Sequence, residues 1–252
     1  MNTSQSFEDL EIAVKAANAA WLLYQDISKS TPKIMEQIDR EIKIDLDFLL
    51  EACVIDTIQG HSDWPIVSEE SLRWTGNDDN FWIVDPLDGS FNCLRGLPHF
   101  GVSIALCAKK TPILGVIIDF AHGDVFKGVV GSGAWINDSR IRVSQIESFG
   151  QAVLCTGFPA AFDFSSAQSK RAMGIYEKFL KVRMFGSAAI SLCYVACGRC
   201  DVYWEDRIRL WDVAAGVALV RASGGVVEMS EVDNDCVLNV TAAANSGLLP
   251  SL

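Results

Sequence analysis

Residues 81–90, with the sequence Phe-Trp-Ile-Val-Asp-Pro-Leu-Asp-Gly-Ser, are the stretch of the chain that decides the fold. Their first four residues are apolar, which is typical of a short buried strand. Pro86 has no N–H to give to a central ladder, so we expect the strand to end there. The backbone that follows, including the carbonyl of Leu87, is then expected to be free to bind a ligand.

Two carboxylates, Asp85 and Asp88, lie three residues apart at this predicted strand end. With the Leu87 carbonyl they form a set of hard oxygen donors, which suits Mg²⁺ better than Zn²⁺. Gly89 allows a close backbone approach, and the N–H groups of Gly89 and Ser90 can hold a phosphate if they open a helical turn. Taken alone, the same six residues fit an ordinary Asp-rich turn equally well.

Two further acidic sites stand at the ends of apolar segments. Glu69-Glu70 follows the short apolar run 66–67, and Asp212 precedes a helix predicted for residues 213–222. Each has a simple explanation by itself, a solvated acidic pair in one case and a helix N-cap in the other. If the three groups converge, their charges repel one another unless cations neutralise them.

Composition limits the class of protein. The chain has 252 residues, of which 50% are hydrophobic and 21% charged, as expected for one or two closely packed lobes. Its net charge of −11 disfavours nucleic acid and anionic membranes as partners, whereas metal ions would still admit a small anionic substrate. The chain has no apolar run long enough to span a membrane, and its first residues do not resemble a signal peptide. We therefore expect a cytoplasmic protein with reduced cysteines.

The order of predicted elements indicates a layered α/β protein. One helix is predicted from Ser6, and a second from Thr31 to near Gly60. Short strands follow, and the second half alternates strands with helices. We place a boundary after residue 145, which gives an N-terminal α+β lobe (1–145) and a C-terminal α/β lobe (146–252).

The chain resembles the inositol monophosphatase superfamily in several motifs that occur in the family's order. These are Ser68–Ser71, Trp82–Asn92, Leu97–Leu106, Trp211–Gly216, Leu219-Val220 and Gly224-Gly225. The resemblance implies a five-layered αβαβα sandwich and Mg²⁺-dependent hydrolysis of a small phosphomonoester. It also implies a homodimer and inhibition by lithium.

The resemblance further implies which residues hold the metal. Glu69, Asp85 and the Leu87 carbonyl would bind a first Mg²⁺, and Asp85, Asp88 and Asp212 a second. A third, more weakly bound ion would be coordinated by Glu69 and waters. Mn²⁺ is expected to substitute for Mg²⁺. Such ions lower the pKa of a bound water and neutralise charge on the phosphoryl group.

A hydroxyl paired with an upstream carboxylate orients the attacking water in the family. Ser90 and Asp47 match these positions and join Glu69 as the predicted catalytic residues, with Asp45 as the competitor of Asp47. Ser90 stands where the family usually has Thr and so lacks the methyl that restricts the rotamer. Cys93 stands where an aromatic residue is usual.

Substrate contacts are also implied by motif position. The predicted phosphate and substrate residues are Asp88, Gly89, Ser90, Gly186, Ser187, Ala188, Glu205, Arg209 and Asp212. The Glu205 carboxylate suits the hydroxyls of a polyol such as inositol or a sugar, although it could equally be an exposed charge at a strand end. Arg207 and Arg209 would meet a second phosphate, or balance local acidity.

Three functional hypotheses therefore stand. The first is a phosphatase for inositol monophosphate or a related sugar phosphate. The second is a phosphatase for 3′-phosphoadenosine 5′-phosphate or fructose 1,6-bisphosphate. The third is a degenerate, non-catalytic member that binds or regulates. Cys193, Cys197 and Cys200 have iron–sulfur-like spacing, but the apolar segment around them favours core packing.

Overall fold

The structure is a computed structural model that describes residues 3–27, 32–38, 40–71, 79–158, 162 and 164–250. The helices in this part of the chain are α1 (Thr3–Ile27), α2 (Asp45–Gln59), α3 (Ser90–Arg95), α4 (Ser166–Tyr176), α5 (Ala188–Ala196) and α6 (Leu210–Ala222). The strands are β1 (Ile34–Ile38), β2 (Glu41–Ile44), β3 (Ile66–Ser68), β4 (Asn80–Asp88), β5 (Gly101–Ala108), β6 (Thr111–Asp119), β7 (Asp124–Val129), β8 (Gly133–Ile136), β9 (Ser139–Ile141), β10 (Val153–Thr156), β11 (Lys181–Arg183), β12 (Val202–Arg209), β13 (Val226–Met229) and β14 (Val237–Ala243).

Two large sheets and three layers of helices make the sandwich. The seven-stranded sheet has the order β3-β4-β5-β6-β7-β8-β9, and the five-stranded sheet has the order β11-β10-β12-β14-β13. Helices α1 and α2 cover one face of the larger sheet, and α5 and α6 lie between the two sheets. Helix α4 covers the remaining face, where Tyr176 packs edge-on against Trp204. The αβαβα sandwich expected from the resemblance is confirmed.

Strand β5 shows how the two apolar cores share one sheet. Ile104 and Leu106 belong to the core under α1 and α2, whereas Ala105 and Cys107 belong to the core around α5 and α6. Successive side chains of a strand point to opposite faces, so a strand buried on both sides is apolar throughout. The central core contains residues of both halves of the chain, and the boundary after residue 145 stays a prediction.

The expected helix from Thr31 to Gly60 is wrong in its first half. Strands β1 and β2 form an antiparallel hairpin there, and the helix begins only at Asp45. The helical spacing of Ile34 and Ile38 misled the prediction, because both side chains are more than half exposed and face no core. β-branched residues favour an extended strand where no core selects a helix face. Thr31 lies outside the described residues.

The expected end of the strand at Pro86 is also wrong. Strand β4 continues to Asp88, and its register against β5 shifts between the pairs Asp85–Ser103 and Asp88–Gly101. A bulge takes the residues between these pairs out of the regular ladder, so the missing N–H of Pro86 does not break the strand.

A smaller difference concerns an element boundary. Helix α6 begins at Leu210, which places Asp212 inside its first turn rather than at the N-cap. Among the described residues, no helix is long and apolar enough to cross a membrane.

Candidate metal and phosphate site

Three carboxylates that are far apart in the sequence converge at one edge of the seven-stranded sheet. Each of Glu69, Asp85 and Asp212 has a carboxylate oxygen within 4.8 Å of the others. Glu69 follows β3, which runs parallel to β4, so Glu69 and Asp85 reach the same edge. Asp212 comes from the first turn of α6, whose Trp211 carbonyl accepts a hydrogen bond from the Ser103 hydroxyl of β5.

A fourth carboxylate, Asp88, lies at the N-terminus of α5. Its Oδ2 accepts hydrogen bonds from the hydroxyl of Ser187 and, at 2.8 Å, from the backbone N–H of Ala189. The Ser187 hydroxyl also caps α5 by accepting from the N–H of Ile190 at 3.1 Å. The N-terminal end of a helix favours negative charge, and these contacts join β4 to the central helix layer.

The four residues Glu69, Asp85, Asp88 and Asp212, here called the carboxylate cluster, hold more negative charge than their surroundings neutralise. Burial, followed by the charge of neighbouring carboxylates, raises the pKa of Glu69 to about 8. Burial raises the pKa of Asp88 to about 6, although its hydrogen bonds oppose the shift. Burial and the neighbouring acids raise the pKa of Asp85 and of Asp212 well above the ordinary range. Converging buried oxygens of this kind fit hard divalent cations such as Mg²⁺.

Lys43 supplies a positive charge beside this cluster, and the sequence analysis did not single it out. Its Nζ lies 2.5 Å from Oε2 of Glu70. Burial lowers the pKa of Lys43, but the hydrogen bond and charge of Glu70, with help from Glu69, outweigh it and leave that pKa raised. The hairpin β1–β2 thus places the Lys43 ammonium beside the carboxylate cluster. The sequence analysis missed this contact because it predicted a helix at these residues.

Ser90 and Asp47 meet as the family motif implied. The Ser90 hydroxyl lies 2.7 Å from Oδ1 of Asp47 and 2.8 Å from the Leu87 carbonyl oxygen, and it can donate to one of them at a time. Oδ2 of Asp47 accepts from the backbone N–H of Ile44 at 2.6 Å. Burial raises the pKa of Asp47 to about 6. The hydroxyl is therefore fixed in position, with its lone pairs available to a water.

Asp45 does not reach Ser90. Its Oδ1 accepts from the backbone N–H of Lys33 at 2.9 Å, and its own N–H donates to the Lys33 carbonyl. Asp45 therefore closes the base of the hairpin, and the structure pairs Ser90 with Asp47 instead.

The turn at Gly89 depends on the absence of a side chain. Gly89 has φ +83°, and a Cβ there would lie 2.7 Å from the His99 carbonyl oxygen. A substitution would strain the backbone and clash with a neighbouring backbone atom. This turn sets α3 and Ser90 beside the carboxylate cluster.

A cavity of about 220 Å³ extends from the carboxylate cluster. Asp88 and Asp212 line one end, together with Gly186, Ser187 and Ala188, and Thr156, Phe158, Tyr203 and Glu205 line the other. A larger groove of about 500 Å³ lies between α1 and strands β7 and β8, away from this chemistry. The smaller cavity is the candidate site because it joins Asp88 and Asp212 to residues predicted to contact substrate.

Glu205 is buried in the wall of this cavity rather than exposed at a strand end. Its Oε2 accepts a hydrogen bond from the Tyr203 hydroxyl at 2.8 Å. Burial raises the pKa of Glu205 to about 7, although this hydrogen bond lowers it. A buried carboxyl with a remaining oxygen facing a cavity can accept from a ligand hydroxyl.

The structure does not bring Arg209 to the cavity. Its Nη1 donates to the Asp235 carbonyl at 2.6 Å, and its guanidinium lies 5.6 Å from the centroid of the Trp211 ring. Arg209 is not among the described residues that line the cavity. A bulge between Glu205 and Ile208 redirects this end of β12, which sequence spacing does not reveal.

The cysteines with iron–sulfur-like spacing pack as predicted. Cys193 and Cys200 are buried in the central core, and Cys197 packs against it while partly exposed. Core packing explains their spacing.

Comparison with known proteins agrees with this geometry. The sequence model of the inositol monophosphatase family matches residues 7–250. Nus factor SuhB of Xylella fastidiosa (strain Temecula1) is 38% identical over 222 residues, which cover 86% of this chain and 80% of that protein. Nus factor SuhB of Escherichia coli (strain K12) is 37% identical over 226 residues, which cover 86% of this chain and 84% of that protein.

Solved structures show the same likeness. An inositol monophosphatase from Anabaena (Nostoc) sp. PCC 7120 superposes with a TM-score of 0.81 at 33% identity, covering 97% of this chain and 93% of that one. The extragenic suppressor protein suhB from Bartonella henselae gives a TM-score of 0.81 at 28% identity, covering 98% of this chain and 95% of that one. On the shared motifs, the fold and the match across nearly its whole length, this chain belongs to the inositol monophosphatase family.

Proposed function

We propose that this protein is a Mg²⁺-dependent phosphomonoesterase that acts on inositol monophosphate or a related sugar phosphate. The observation that carries this proposal is the convergence of Glu69, Asp85 and Asp212 within 4.8 Å of one another. Like charges held this closely in a buried place need cations, and oxygen ligands favour Mg²⁺. The family to which the chain belongs supports the same activity.

The chain's own residues divide the work. Glu69, Asp85, the Leu87 carbonyl, Asp88 and Asp212 would hold the ions. Bound Mg²⁺ supplies an acidified water and neutralises charge on the phosphoryl oxygens. Near these ligands, Ser90 and Asp47 orient a water through the hydroxyl described above.

The remaining residues bind the ester. The N-terminus of α5, where N–H groups donate to Asp88 and Ser187, lies at the end of the cavity that would hold the phosphate. The positive end of the helix dipole there favours the negative charge of the phosphate. Glu205 accepts from a hydroxyl of the leaving group, and the Tyr203 hydroxyl holds Glu205 in place. This arrangement favours a polyol or sugar as the leaving group.

The bisphosphate alternative receives less support from the contacts. It rested on Arg207 and Arg209, and Arg209 is engaged by Asp235 and Trp211. Without that guanidinium in the cavity, a monophosphate is the better fit to the candidate site.

A binding or regulatory role is the second candidate, and the curated relatives favour it through their name, Nus factor SuhB. The two roles are compatible, because a surface that binds a partner need not overlap the cavity. The retained carboxylate cluster supports the enzymatic role, since a purely binding protein has no need to keep buried like charges together.

The deciding experiment is a phosphate-release screen of sugar, inositol and nucleotide phosphates with and without Mg²⁺. We expect release from a polyol or sugar monophosphate that requires Mg²⁺, is supported by Mn²⁺ and is inhibited by lithium. No release from any ester in Mg²⁺ or Mn²⁺ would reject the enzyme and leave the binding role.

Two further properties are proposed with this function, a homodimeric assembly and a cytoplasmic location. The size of the particle in solution, measured by sedimentation, would test the first, and fractionation of the source cells would test the second.

A further inference from the structure

Three phenylalanine side chains meet at the outer end of the candidate cavity. The ring centroids of Phe158 and Phe162 lie 4.6 Å apart, those of Phe162 and Phe164 4.7 Å apart, and those of Phe158 and Phe164 5.2 Å apart. Phe158 also lines the cavity that holds Glu205 and Asp212. This group, here called the phenylalanine cluster, is therefore continuous with the candidate site.

Two rings of the phenylalanine cluster are exposed although they have no polar atom to present to water, whereas Phe162 is partly buried against the core. Phe158 is 38% exposed and Phe164 52% exposed. A single exposed apolar side chain, such as Phe7 on α1, is common on a protein surface and needs no explanation. Two exposed rings that contact each other and the partly buried Phe162 beside a polar cavity are different, because contiguous apolar patches rimmed by polar groups mark ligand grooves.

A second segment of the chain reaches the same place. The guanidinium carbon of Arg40, from the turn of the hairpin β1–β2, lies 4.5 Å from the centroid of the Phe164 ring. Guanidinium groups stack on the faces of flat aromatic rings as well as forming hydrogen bonds to carboxylates. The outer end of the cavity thus presents apolar rings and one planar cation, whereas its inner end presents carboxylates.

Size indicates what this outer surface would contact. The cavity has a volume of about 220 Å³, which is below the ~300–1,000 Å³ of ordinary small-molecule pockets. A phosphate and a small polyol fill such a space, so a larger leaving group needs surface beyond the cavity, and the cluster that contains the lining residue Phe158 offers such a surface.

We propose that the phenylalanine cluster, with Arg40, is a subsite for a flat ring carried by the leaving group of the substrate. The inference rests on the proposed phosphatase activity and narrows its substrate class. The ester then has a phosphate at the carboxylate cluster, a sugar or polyol hydroxyl at Glu205, and a flat ring beyond it. Nucleoside monophosphates have this chemistry.

Two esters that differ only in the flat ring test the subsite. Ribose 5-phosphate and adenosine 5′-monophosphate share the phosphate and the ribose, and the second adds the base. We expect kcat/KM to be about tenfold higher for the nucleotide, because stacking of one base on aromatic side chains favours binding by this order. Phe164→Ala should bring the ratio of the two kcat/KM values close to one, and Phe164→Trp should preserve it.

Phe7→Ala is the matched control, since it removes an exposed phenylalanine far from the cavity and should leave the ratio unchanged. Equal kcat/KM values for the two esters in the unmodified protein would overturn the subsite. So would a Phe164→Ala variant that loses activity on both esters to the same extent, because that result indicates a structural role.

If neither ester is hydrolysed, the subsite is judged by binding, and the phosphatase proposal is judged separately by the phosphate-release screen of all the esters. Calorimetric titration of the unmodified protein with each ester in Mg²⁺ then decides. Tighter binding of the nucleotide that Phe164→Ala abolishes supports the subsite, and equal dissociation constants reject it.

Discussion

At the inner end of the cavity, Glu69, Asp85 and Asp212 hold three carboxylates within 4.8 Å of one another, whereas at the outer end Glu205 is a single carboxyl that accepts from Tyr203. Asp85 and Glu205 are buried, while Glu69 and Asp212 are partly buried. Burial raises the pKa of Glu69 to about 8 and of Glu205 to about 7. Neighbouring carboxylates raise the pKa values of Glu69, Asp85 and Asp212 further through charge repulsion. Glu205 instead accepts a hydrogen bond from the Tyr203 hydroxyl. Cations from solution are what we propose to neutralise the inner acids, whereas Glu205 at the outer end has its hydrogen-bond donor within the chain.

The largest effect is expected from removing one charge of the inner end. Asp212→Asn should lower the affinity for Mg²⁺ by at least about 100-fold and kcat/KM on the order of 10³-fold, since a ligand of the ion is lost. The same variant should melt at a higher temperature than the unmodified protein when both are metal-free, because one repelling charge is gone. Calorimetric titration, phosphate release and thermal melting measure the three changes.

Asp138→Asn is the control for that experiment, because Asp138 is exposed in the turn between β8 and β9. It should change neither metal affinity nor melting. Turnover in Asp212→Asn equal to that of the unmodified protein would show that the carboxylate cluster is not a metal site.

The contrast between the two ends also predicts how stability depends on pH. Glu69 and Glu205 have folded-state pKa values of about 8 and about 7, above the ~4.3 of an unfolded glutamate. Between these limits the folded protein binds more protons than the unfolded chain, so stability is full below about pH 4.3 and falls as the pH rises through 7 and 8. From pH 6 to pH 8 the metal-free protein should lose about 2 kcal/mol of stability through Glu69 and about 1 kcal/mol through Glu205, because each contribution ends as the pH passes the folded-state pKa.

Mg²⁺ should reduce this loss of stability with rising pH, because it binds the deprotonated carboxylates of the inner end. Melting curves in chelator and in Mg²⁺ at several pH values measure both effects. A metal-free protein that becomes more stable between pH 6 and pH 8 would contradict the proposed charge balance.

Substitution of Ser90 tests the proposed positioning of a water separately from the binding of metal. Ser90→Ala should lower kcat by about 100-fold with little change in KM, since the hydroxyl fixed by Asp47 is lost while the carboxylates remain. Ser90→Thr keeps the hydroxyl and should retain most of the activity. If Ser90→Thr lost as much kcat as Ser90→Ala, the hydroxyl would not be the group that matters.

At the outer end, Glu205→Gln should raise KM for a sugar phosphate about tenfold with little effect on kcat, because a charge-assisted hydrogen bond to the leaving group is weakened. Steady-state phosphate release measures both constants. Glu228→Gln is the control, since Glu228 is exposed on β13 of the same sheet. An unchanged KM would remove Glu205 from the substrate contacts.

The smallest effect concerns the cation that the chain itself supplies. Lys43 pairs with Glu70 beside the carboxylate cluster but is partly exposed, so the pair contributes little. Lys43→Met should bind Mg²⁺ about threefold more tightly, because the inner end becomes more negative. Lys178→Met, at an exposed position, is the control, and weaker Mg²⁺ binding by Lys43→Met would reverse the assignment.

The local sequence predicted the inner end of the site better than the outer end. Asp85, Asp88 and Gly89 lie within five residues, and Pro86 marks the place where the strand is irregular. The strand continued through Pro86 because a bulge against β5 removed the need for its N–H. The strand therefore continues because of its neighbour β5, and this cannot be predicted from residues 81–90 by themselves.

The hairpin β1–β2 shows the opposite case. Ile34 and Ile38 have helical spacing, but both side chains are exposed and neither packs into an apolar core. Because of that error the sequence analysis missed Lys43, which pairs with Glu70 beside the carboxylate cluster, and Arg40, which lies over the ring of Phe164. Periodicity reports a helix only where one face is buried, and the buried surface depends on what else packs there.

The sequence by itself determined the family, the layered fold and the residue types of the candidate metal site, because each depends on short motifs, and the residues of any one motif lie close together in the chain. Tertiary structure alone decided that Asp47 rather than Asp45 holds Ser90, that Arg209 turns away from the cavity, and that three phenylalanines meet at its mouth. The physical reason is that charge balance and contact depend on distances between segments, which the packing of two sheets and a hairpin fixes and local spacing does not.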